Sequence, residues 1–561
     1  MDARQPAILP SESALSVQKA ADPRLPVDDF RPRFAGFAEF LRHRTDLHQP
    51  YLTELHHARN TRRQWSVGQW QQRVEGTAAW LRDRGIGPGD AVATLAGNTA
   101  DALAVAYGCW LVGACCVPLN AQEAIDRQTY VLRDSGASLL IHVPEQADRA
   151  AALGAMTSIP RYDTGDLPTA GGGRIDDPAT GLDVAALRLY TSGTTGEPKG
   201  IITTVGNLLT DLDALATTFA WSAATRVYTV LPVHHANALV ISSLLPWHTG
   251  ASAVLADRFR TDTFWRDVAN ERATTASLVP TLLEFLLAAG GQAPAHFTEV
   301  LCGAGPLLVE TAMAFENRFA IAIRHIYGLS ETTCVACAMP ALPADERSGW
   351  HADFGFPSIG SALPHAEMAV LHPFTGRPVP AEVRGELAVR GAIVMQGYAG
   401  RPDATADAFR DGWFHTGDEG FWRPGPGGRP TFFITGRLKE LIIRGGHNIS
   451  PFEIDEVLRA HPRITFALAV PFEHRVYGDE IAAYVVADGP LSEQEVLDHC
   501  AGRLDFAHQP KVVIFGDDVP YTATGKAKRI ELKNRLAPEL LAYREATFRR
   551  PQVTHSAEEP R

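Results

Sequence analysis

Between Tyr190 and Ile201 the chain reads Thr191-Ser-Gly-Thr-Thr-Gly-Glu-Pro-Lys199-Gly200, with three glycines, four hydroxyl residues and one lysine in ten positions. Glycines let successive backbone N–H groups turn toward one anion, and Ser and Thr hydroxyls add donors. Lys199 closes the run with a compact positive charge. This is the chemistry of a polyphosphate cradle, with Thr191, Ser192, Gly193, Thr194, Thr195, Gly196 and Lys199 as its candidate contacts. It is not the loop of ordinary P-loop NTPases, which needs Gly-Lys-Ser/Thr so that a hydroxyl reaches magnesium. Here Pro198 stands where that loop needs glycine, and Gly200 follows the lysine.

Such a loop must be held between regular elements. Leu187–Tyr190 and Ile201–Thr204 flank it as strand-like runs. Further runs at Ala91–Leu95, Cys115–Val117, Ser138–Val143, Val227–Leu231 and Ala253–Leu255 alternate with helix-period segments such as Gln69–Arg84 and Asp262–Arg272. That alternation predicts an α/β layer fold with largely parallel sheets up to about residue 300. At 561 residues the chain is too long for one core, so two or more domains are expected. Apolar content of 45% and charged content of 21% are ordinary for a soluble globular protein.

The net charge of −12 argues against a nucleic-acid surface. Ala102–Leu119 carries no charge, but its glycines and Pro118 favour a buried helix running into a strand over a membrane span. Seven cysteines make no disulfide framework, and the lone Cys334-x-x-Cys337 lacks two more ligands for zinc. Buried thiols in a reducing cytoplasm are expected. Residues 1–30 are polar and contain no signal-peptide core, and read as a disordered or loosely docked arm.

The phosphate loop is followed in order by Leu231-Pro-Val-His234-His235-Ala-Asn237-Ala238-Leu239, Cys302-Gly303-Ala304-Gly305-Pro306 and Tyr327-Gly328-Leu-Ser330-Glu331-Thr-Thr333. Then come Trp413-Phe-His-Thr-Gly-Asp418, Gly436-Arg437-Leu-Lys439-Glu440, Arg444-Gly445-Gly446-His-Asn-Ile-Ser-Pro451 and Pro520-Tyr-Thr-Ala-Thr-Gly-Lys526. In this order they closely resemble the signatures of the adenylate-forming superfamily: acyl- and aryl-CoA synthetases, adenylation domains and luciferases. The resemblance covers about residues 50 to 540 and looks nearest to acyl- or aryl-CoA ligases.

The resemblance implies a large N-terminal AMP-binding domain over 31–436 and a small mobile α+β lid over 437–548, with a disordered tail over 549–561. It implies ATP, Mg²⁺ and a small-molecule acid as ligands, with CoA as the second substrate. Gly303, Ala304, Gly305, Tyr327 and Gly328 would lie along the adenine and Ser330 near the α-phosphate. Glu331 would hold Mg²⁺, and Asp418 and Arg437 would take the ribose hydroxyls. Lys526 would be the mobile lysine of adenylation, with Lys199, His235 and Glu331 as its catalytic companions.

The resemblance further implies that Lys439 takes the hinge position, that Gly445 and Gly446 line the thiol tunnel, and that Asn237, Ala238, Cys302 and Gly328 border the acid pocket. His234 replaces the aromatic residue usual before the histidine. The superfamily's amino-acid-activating domains usually place an aspartate in the segment that His234–Leu239 resembles; none is present, which argues against an α-amino acid. Asn237–Leu245 and Cys302–Ala304, expected to line the acid pocket, carry no Lys or Arg, which points to a mostly uncharged monocarboxylic acid, aromatic or short aliphatic. Two other second steps stay open: loading a carrier protein, and activating nitrite for ATP-dependent diazotisation of an aryl amine.

Overall fold

The computed structural model describes residues 31–171, 175, 181–191, 197–305, 307–342, 358–425, 428–445, 447–521, 527–546 and 548, without the side chains of 447 and 448. The chain forms two compact units that part between Ile434 and Thr435. The boundary read from the sequence, Gly436, falls two residues later.

In the large unit a seven-stranded sheet runs in the order Gly397–Tyr398, Gly200–Thr204, Ala185–Tyr190, Cys115–Pro118, Ala91–Leu95, Ala137–His142 and Arg161–Asp163. Its Ala91–Leu95 strand coincides with the expected one. The uncharged stretch from Ala102 onward forms the expected buried helix, Ala100–Val112, running into Cys115–Pro118. Thr99 caps its first turn by accepting from the Ala102 amide, and Gly113 ends it at φ +80°. The preceding helix, Val67–Arg82, opens on a capping box in which Ser66 and Gln69 exchange hydrogen bonds. Trp70, Tyr107 and Trp110 from these two helices are wholly buried, and Trp110 Nε1 donates to the Ala186 carbonyl at 2.6 Å. Truncating one such aromatic residue typically costs ~3–5 kcal/mol, so this core fixes the strand that leads into the phosphate loop.

A second, larger sheet is half parallel and half antiparallel. Ala322–Tyr327, Glu299–Cys302, Thr275–Leu278, Arg226–Thr229, Ser252–Ala256 and Pro50–His56 run parallel. From Cys337–Ala338 onward the strands pair antiparallel. The strand expected over Val227–Leu231 stops at Thr229, because the Val230 and Leu231 carbonyls accept instead from Asn98 Nδ2, at 3.4 and 3.0 Å. The helix expected over Asp262–Arg272 is shorter, Phe264–Asn270.

The small unit is α+β, with a sheet of Ile442–Arg444, His447–Ile449, Ile464–His474, Gly478–Ala487 and Val512–Phe515. Alternate residues of Ile464–His474 go to two apolar clusters: Ala467 and Ala469 with the helices Pro451–Arg459 and Glu493–Ala501, and Leu468, Val470 and Phe472 with Arg529–Leu540. No helix among the described residues is long and apolar enough to cross a membrane. All seven cysteines are free thiols, six of them buried and Cys334 partly so.

Candidate active site

The expected phosphate loop connects two strands of an antiparallel hairpin. Ala185–Tyr190 pairs with Gly200–Thr204, Tyr190 faces Gly200, and the Thr191 amide donates to the Lys199 carbonyl at 3.2 Å. Thr191 and Lys199 therefore sit across from each other at the mouth of the loop. Ser192, Gly193, Thr194, Thr195 and Gly196 lie outside the described residues. A P-loop runs from a strand into a helix, so the hairpin separates this site from that class. A side chain at Gly200 would lie 3.0 Å from the Tyr190 ring, which explains the glycine after the lysine.

Lys199 Nζ stands 5.0 Å from the centre of the Tyr398 ring, and the Tyr398 hydroxyl donates to Glu331 Oε1 at 3.0 Å. One aromatic ring thus links the loop lysine to the expected metal carboxylate. Burial, and then Glu331, push the Tyr398 hydroxyl well above its usual pKa, so it stays protonated and acts as a donor. The segment around it is tied to both partners: Ala399 N donates to Gly200 O, Gln396 N to Ile202 O, and Met395 N to Glu331 O, each at 2.8–2.9 Å. In the sequence Gly397-Tyr398 is a modest match to the superfamily's signatures, with no role assigned to the tyrosine.

Glu331 sits in a tight reversal after the strand Ala322–Tyr327. A Cβ on Gly328 would fall 2.1 Å from the Cys334 carbonyl, so only glycine lets the chain double back there. Ser330–Thr332 forms one 3₁₀ turn, and Ser330 stays partly exposed. Thr333 then adopts φ +65°, ψ −65°, and Cys334 N donates to Thr332 O at 2.7 Å. This is a strained γ-turn for a β-branched residue, at a typical cost of ~1–3 kcal/mol. The Thr333 hydroxyl offsets part of that strain by donating to Ile393 O at 2.7 Å.

The same reversal reaches Asp418. The Tyr327 hydroxyl donates to Asp418 Oδ2 at 2.7 Å, and both side chains are buried. Asp418 follows a turn fixed by the Thr416 hydroxyl on Leu387 O and by Glu386, which accepts from the Gly417 amide and pairs with His415. The aromatic residue expected along the adenine and the carboxylate expected at the ribose are therefore directly bonded. A Cβ on Gly303 would meet the Ile326 carbonyl at 2.6 Å, Ala304 is exposed at φ +62°, and Gly305 is partly exposed.

The His234 and His235 rings touch at a 52° tilt, with centres 4.4 Å apart. Burial, and secondarily His235, lower the His234 pKa to about 3, so the ring is neutral at physiological pH. From His235 a helix runs Ala236–Leu239, passes through a π turn at Val240–Leu244 and resumes over Leu245–Thr249. Asn237 on its first turn accepts from the Ser277 hydroxyl at 2.8 Å. Of the four residues expected at the acid pocket, Asn237 and Gly328 are partly exposed. Ala238 and Cys302 are buried in two different apolar clusters.

In the small unit Arg437 and Lys439 are exposed, and Lys439 lies in the 3₁₀ turn Leu438–Glu440. Gly445 has φ +58° and its amide donates to the Tyr477 carbonyl at 2.7 Å. Gly446 and Lys526 lie outside the described residues. Three residues beyond Lys526, the buried Arg529 guanidinium bonds Asp455 at 2.5 and 3.2 Å and pairs with Glu440 at 3.4 Å. Burial opposes its charge, but those two carboxylates hold its pKa above the usual value. Glu440, which follows Lys439, and Arg529, three residues past Lys526, thus share an ion pair, a link invisible to local pattern.

Residues 44–399 match the AMP-binding enzyme family, and 453–526 match the AMP-binding enzyme C-terminal domain. The sulfoacetate–CoA ligase of Cupriavidus necator is 34% identical over 465 residues, covering 80% of this chain and 88% of that protein. A feruloyl-CoA synthase of Amycolatopsis is 33% identical, over 87% and 96%. ATP-bound MatB from Rhodopseudomonas palustris superposes with a TM-score of 0.78 at 26% identity, over 90% and 99%. The o-succinylbenzoate CoA synthetase of Bacillus subtilis, solved with its acyl-adenylate intermediate, gives 0.77 at 25%, over 89% and 98%. With both domains matched in order around the Lys199, Glu331 and Asp418 constellation, the chain belongs to the AMP-binding enzyme family and is an AMP-forming ligase.

Proposed function

We propose that the protein joins a monocarboxylic acid to ATP as an acyl-adenylate, releasing pyrophosphate, and then passes the acyl group to CoA. The observation that carries this reading is the bonded line from Lys199 through Tyr398 to Glu331. It puts a cation and a hard carboxylate at the mouth of one glycine-rich loop, where a polyphosphate and its metal need both. Mg²⁺ is held typically by one or two carboxylates plus phosphate oxygens. Glu331 with the nucleotide fits that donor set, and the ion would supply charge neutralisation at the phosphates.

Two anions must meet, so the work of the chain is alignment and preorganised charge. An acid oxygen attacks the α-phosphorus, the bond to the pyrophosphate oxygen breaks, and Lys199 with Lys526 stabilises the charge that gathers there. Asp418, steadied by Tyr327, and Arg437 would take the ribose. Ser330 would reach the α-phosphate, and Gly303, Ala304 and Gly305 would border the adenine. The neutral His234 would face the acid, together with His235, Asn237 and Gly328. The small unit would then turn about Lys439, withdraw Lys526 and present Gly445 and Gly446 to the pantetheine arm. The thiolate attacks the acyl carbon and AMP leaves.

The named relatives are CoA ligases, which favours CoA over a carrier protein or nitrite as the partner of the second step. Unpaired thiols throughout favour a cytoplasmic setting. The test is a panel of uncharged, dicarboxylic and sulfonated acids, plus nitrite with an aryl amine, scored by pyrophosphate release with and without CoA. A thioester from at least one monocarboxylic acid is expected. ATP consumption only with nitrite and the amine overturns the ligase reading. Lys526→Ala should cut adenylate formation by roughly a hundred- to a thousandfold, the usual effect of removing one preorganised donor. Near-normal pyrophosphate release by that variant removes Lys526 from the first half-reaction.

A further inference from the structure

The two rails of the phosphate hairpin are held from outside by side chains that belong to none of the motifs. The helix Ile125–Ser135 lies beside the hairpin and contributes three of them. Arg127 Nη2 donates to the Thr191 carbonyl at 3.2 Å, and the Tyr130 hydroxyl donates to the Pro198 carbonyl at 3.1 Å. Asp134 Oδ2 accepts from the hydroxyl of Tyr190, the last residue of the incoming strand, at 2.8 Å. One rail is thus gripped at Tyr190 and Thr191, the other at Pro198.

Arg401 closes the arrangement. Its Nη2 lies 2.9 Å from the Tyr130 hydroxyl, 3.2 Å from Asp134 Oδ1 and 3.7 Å from Glu197 Oε2. Its position is set by the same short segment that brings Tyr398 to Lys199 and ties Ala399 to Gly200. Arg401 is therefore coupled by backbone to the Lys199–Tyr398–Glu331 line and by side chain to both rails.

We propose that Arg401, with Asp134 and Tyr130, is a positioning clamp that sets the affinity of the loop for the phosphates of ATP. The proposal rests on the reading of that loop as the ATP phosphate site. Two physical effects support it. A glycine-rich loop loses conformational freedom when it closes on a ligand, and fixing both its ends in advance lowers that cost. Charge acts in the same direction. Asp134 and Glu197 stand beside a site for a polyanion, and Arg401 pairs with both. Without it, two carboxylates would face the incoming phosphates with that cation gone.

The test is ATP binding by the full chain in the absence of acid, measured by titration calorimetry for wild type, Arg401→Gln, Arg401→Lys, Asp134→Asn and Tyr190→Phe. Unliganded melting temperatures are taken alongside. Arg401→Gln should weaken ATP roughly tenfold, the scale of one charge-assisted hydrogen bond. Raised salt should shrink that loss. Arg401→Lys restores charge without the fork geometry and should recover part of it. Combining Asp134→Asn with Arg401→Gln should cost less than the sum of the two. Arg401 is partly exposed, so its variants should fold, and Tyr190→Phe removes a single hydroxyl should Asp134→Asn misfold.

A wild-type chain that does not bind ATP overturns the ligase reading together with the clamp. Wild-type binding with Arg401→Gln within twofold overturns the clamp alone. So does a fall in melting temperature with no change in ATP affinity, because a purely structural role predicts that result.

Discussion

Asp211 lies in Val205–Phe219, the helix that leaves the phosphate hairpin, and it is wholly buried. Among the described residues neither carboxyl oxygen has a hydrogen-bond partner of normal geometry. Burial pushes its pKa well above the usual carboxylate range, and the Val335 amide pulls the other way without forming a hydrogen bond of normal geometry. An acid with a raised folded-state pKa keeps a proton that the unfolded chain releases above pH ~4. The folded state then loses stability as pH rises from that unfolded value toward the folded one.

For one proton the slope is ~1.4 kcal/mol per pH unit. Asp211→Leu abolishes this dependence and removes an unpaired polar group from an apolar site. The unit that carries it holds about 400 residues, so the melting-point gap between variant and wild type should widen by about 1–2 °C per pH unit. Thermal unfolding of both proteins at pH 5, 6, 7 and 8, with Asp211→Asn as the isosteric control, measures that gap. Curves that stay parallel across the range refute the reasoning, because they mean the buried carboxyl takes up no proton on folding.

Tyr327→Phe removes the donor to Asp418 and should weaken ATP binding roughly tenfold or more, at ~1.5–3 kcal/mol for a bond to a charged group; an unchanged Kd by calorimetry means the pair does not support the nucleotide site. Asp455→Asn leaves the buried Arg529 undercompensated and should destabilise the small unit by ~3–5 kcal/mol in denaturant unfolding, with a shift below 1 kcal/mol counting against it. Gly446→Leu should spare acid-dependent pyrophosphate release and sharply reduce thioester formation, provided its far-UV spectrum matches wild type; equal losses in both half-reactions argue against a thiol channel at Gly446.

The sequence disclosed those residues whose chemistry is concentrated in a few consecutive positions. The phosphate loop, the Tyr327–Thr333 reversal and the turn before Asp418 are each complete within ten residues or fewer, so their types and spacing speak for themselves. Strands bounded by their own composition were legible too, as Ala91–Leu95 shows. Boundaries failed where a distant group decided them. Asn98 claims the carbonyls that would have extended Arg226–Thr229, and the Ser450 hydroxyl donates to the Thr435 carbonyl, drawing that residue into the small unit ahead of Gly436.

The pairs that hold the site were hidden for the same reason. Tyr327 and Asp418 are 91 positions apart, Tyr398 and Glu331 67, and Arg401 and Asp134 267. Each pair is brought together by sheet order: Gly397–Tyr398 lies beside Gly200–Thr204, an adjacency no periodicity encodes. A reaction between two anions needs its cations and donors fixed before the reactants arrive. A loop made of glycine and hydroxyl residues cannot fix itself. The residues that would touch ATP are therefore those with local signatures, whereas the rigidity they depend on must come from elsewhere in the chain. Tyr398, Asp134 and Arg401 supply it from three different elements, and their contribution should be read in ATP affinity more than in the fold.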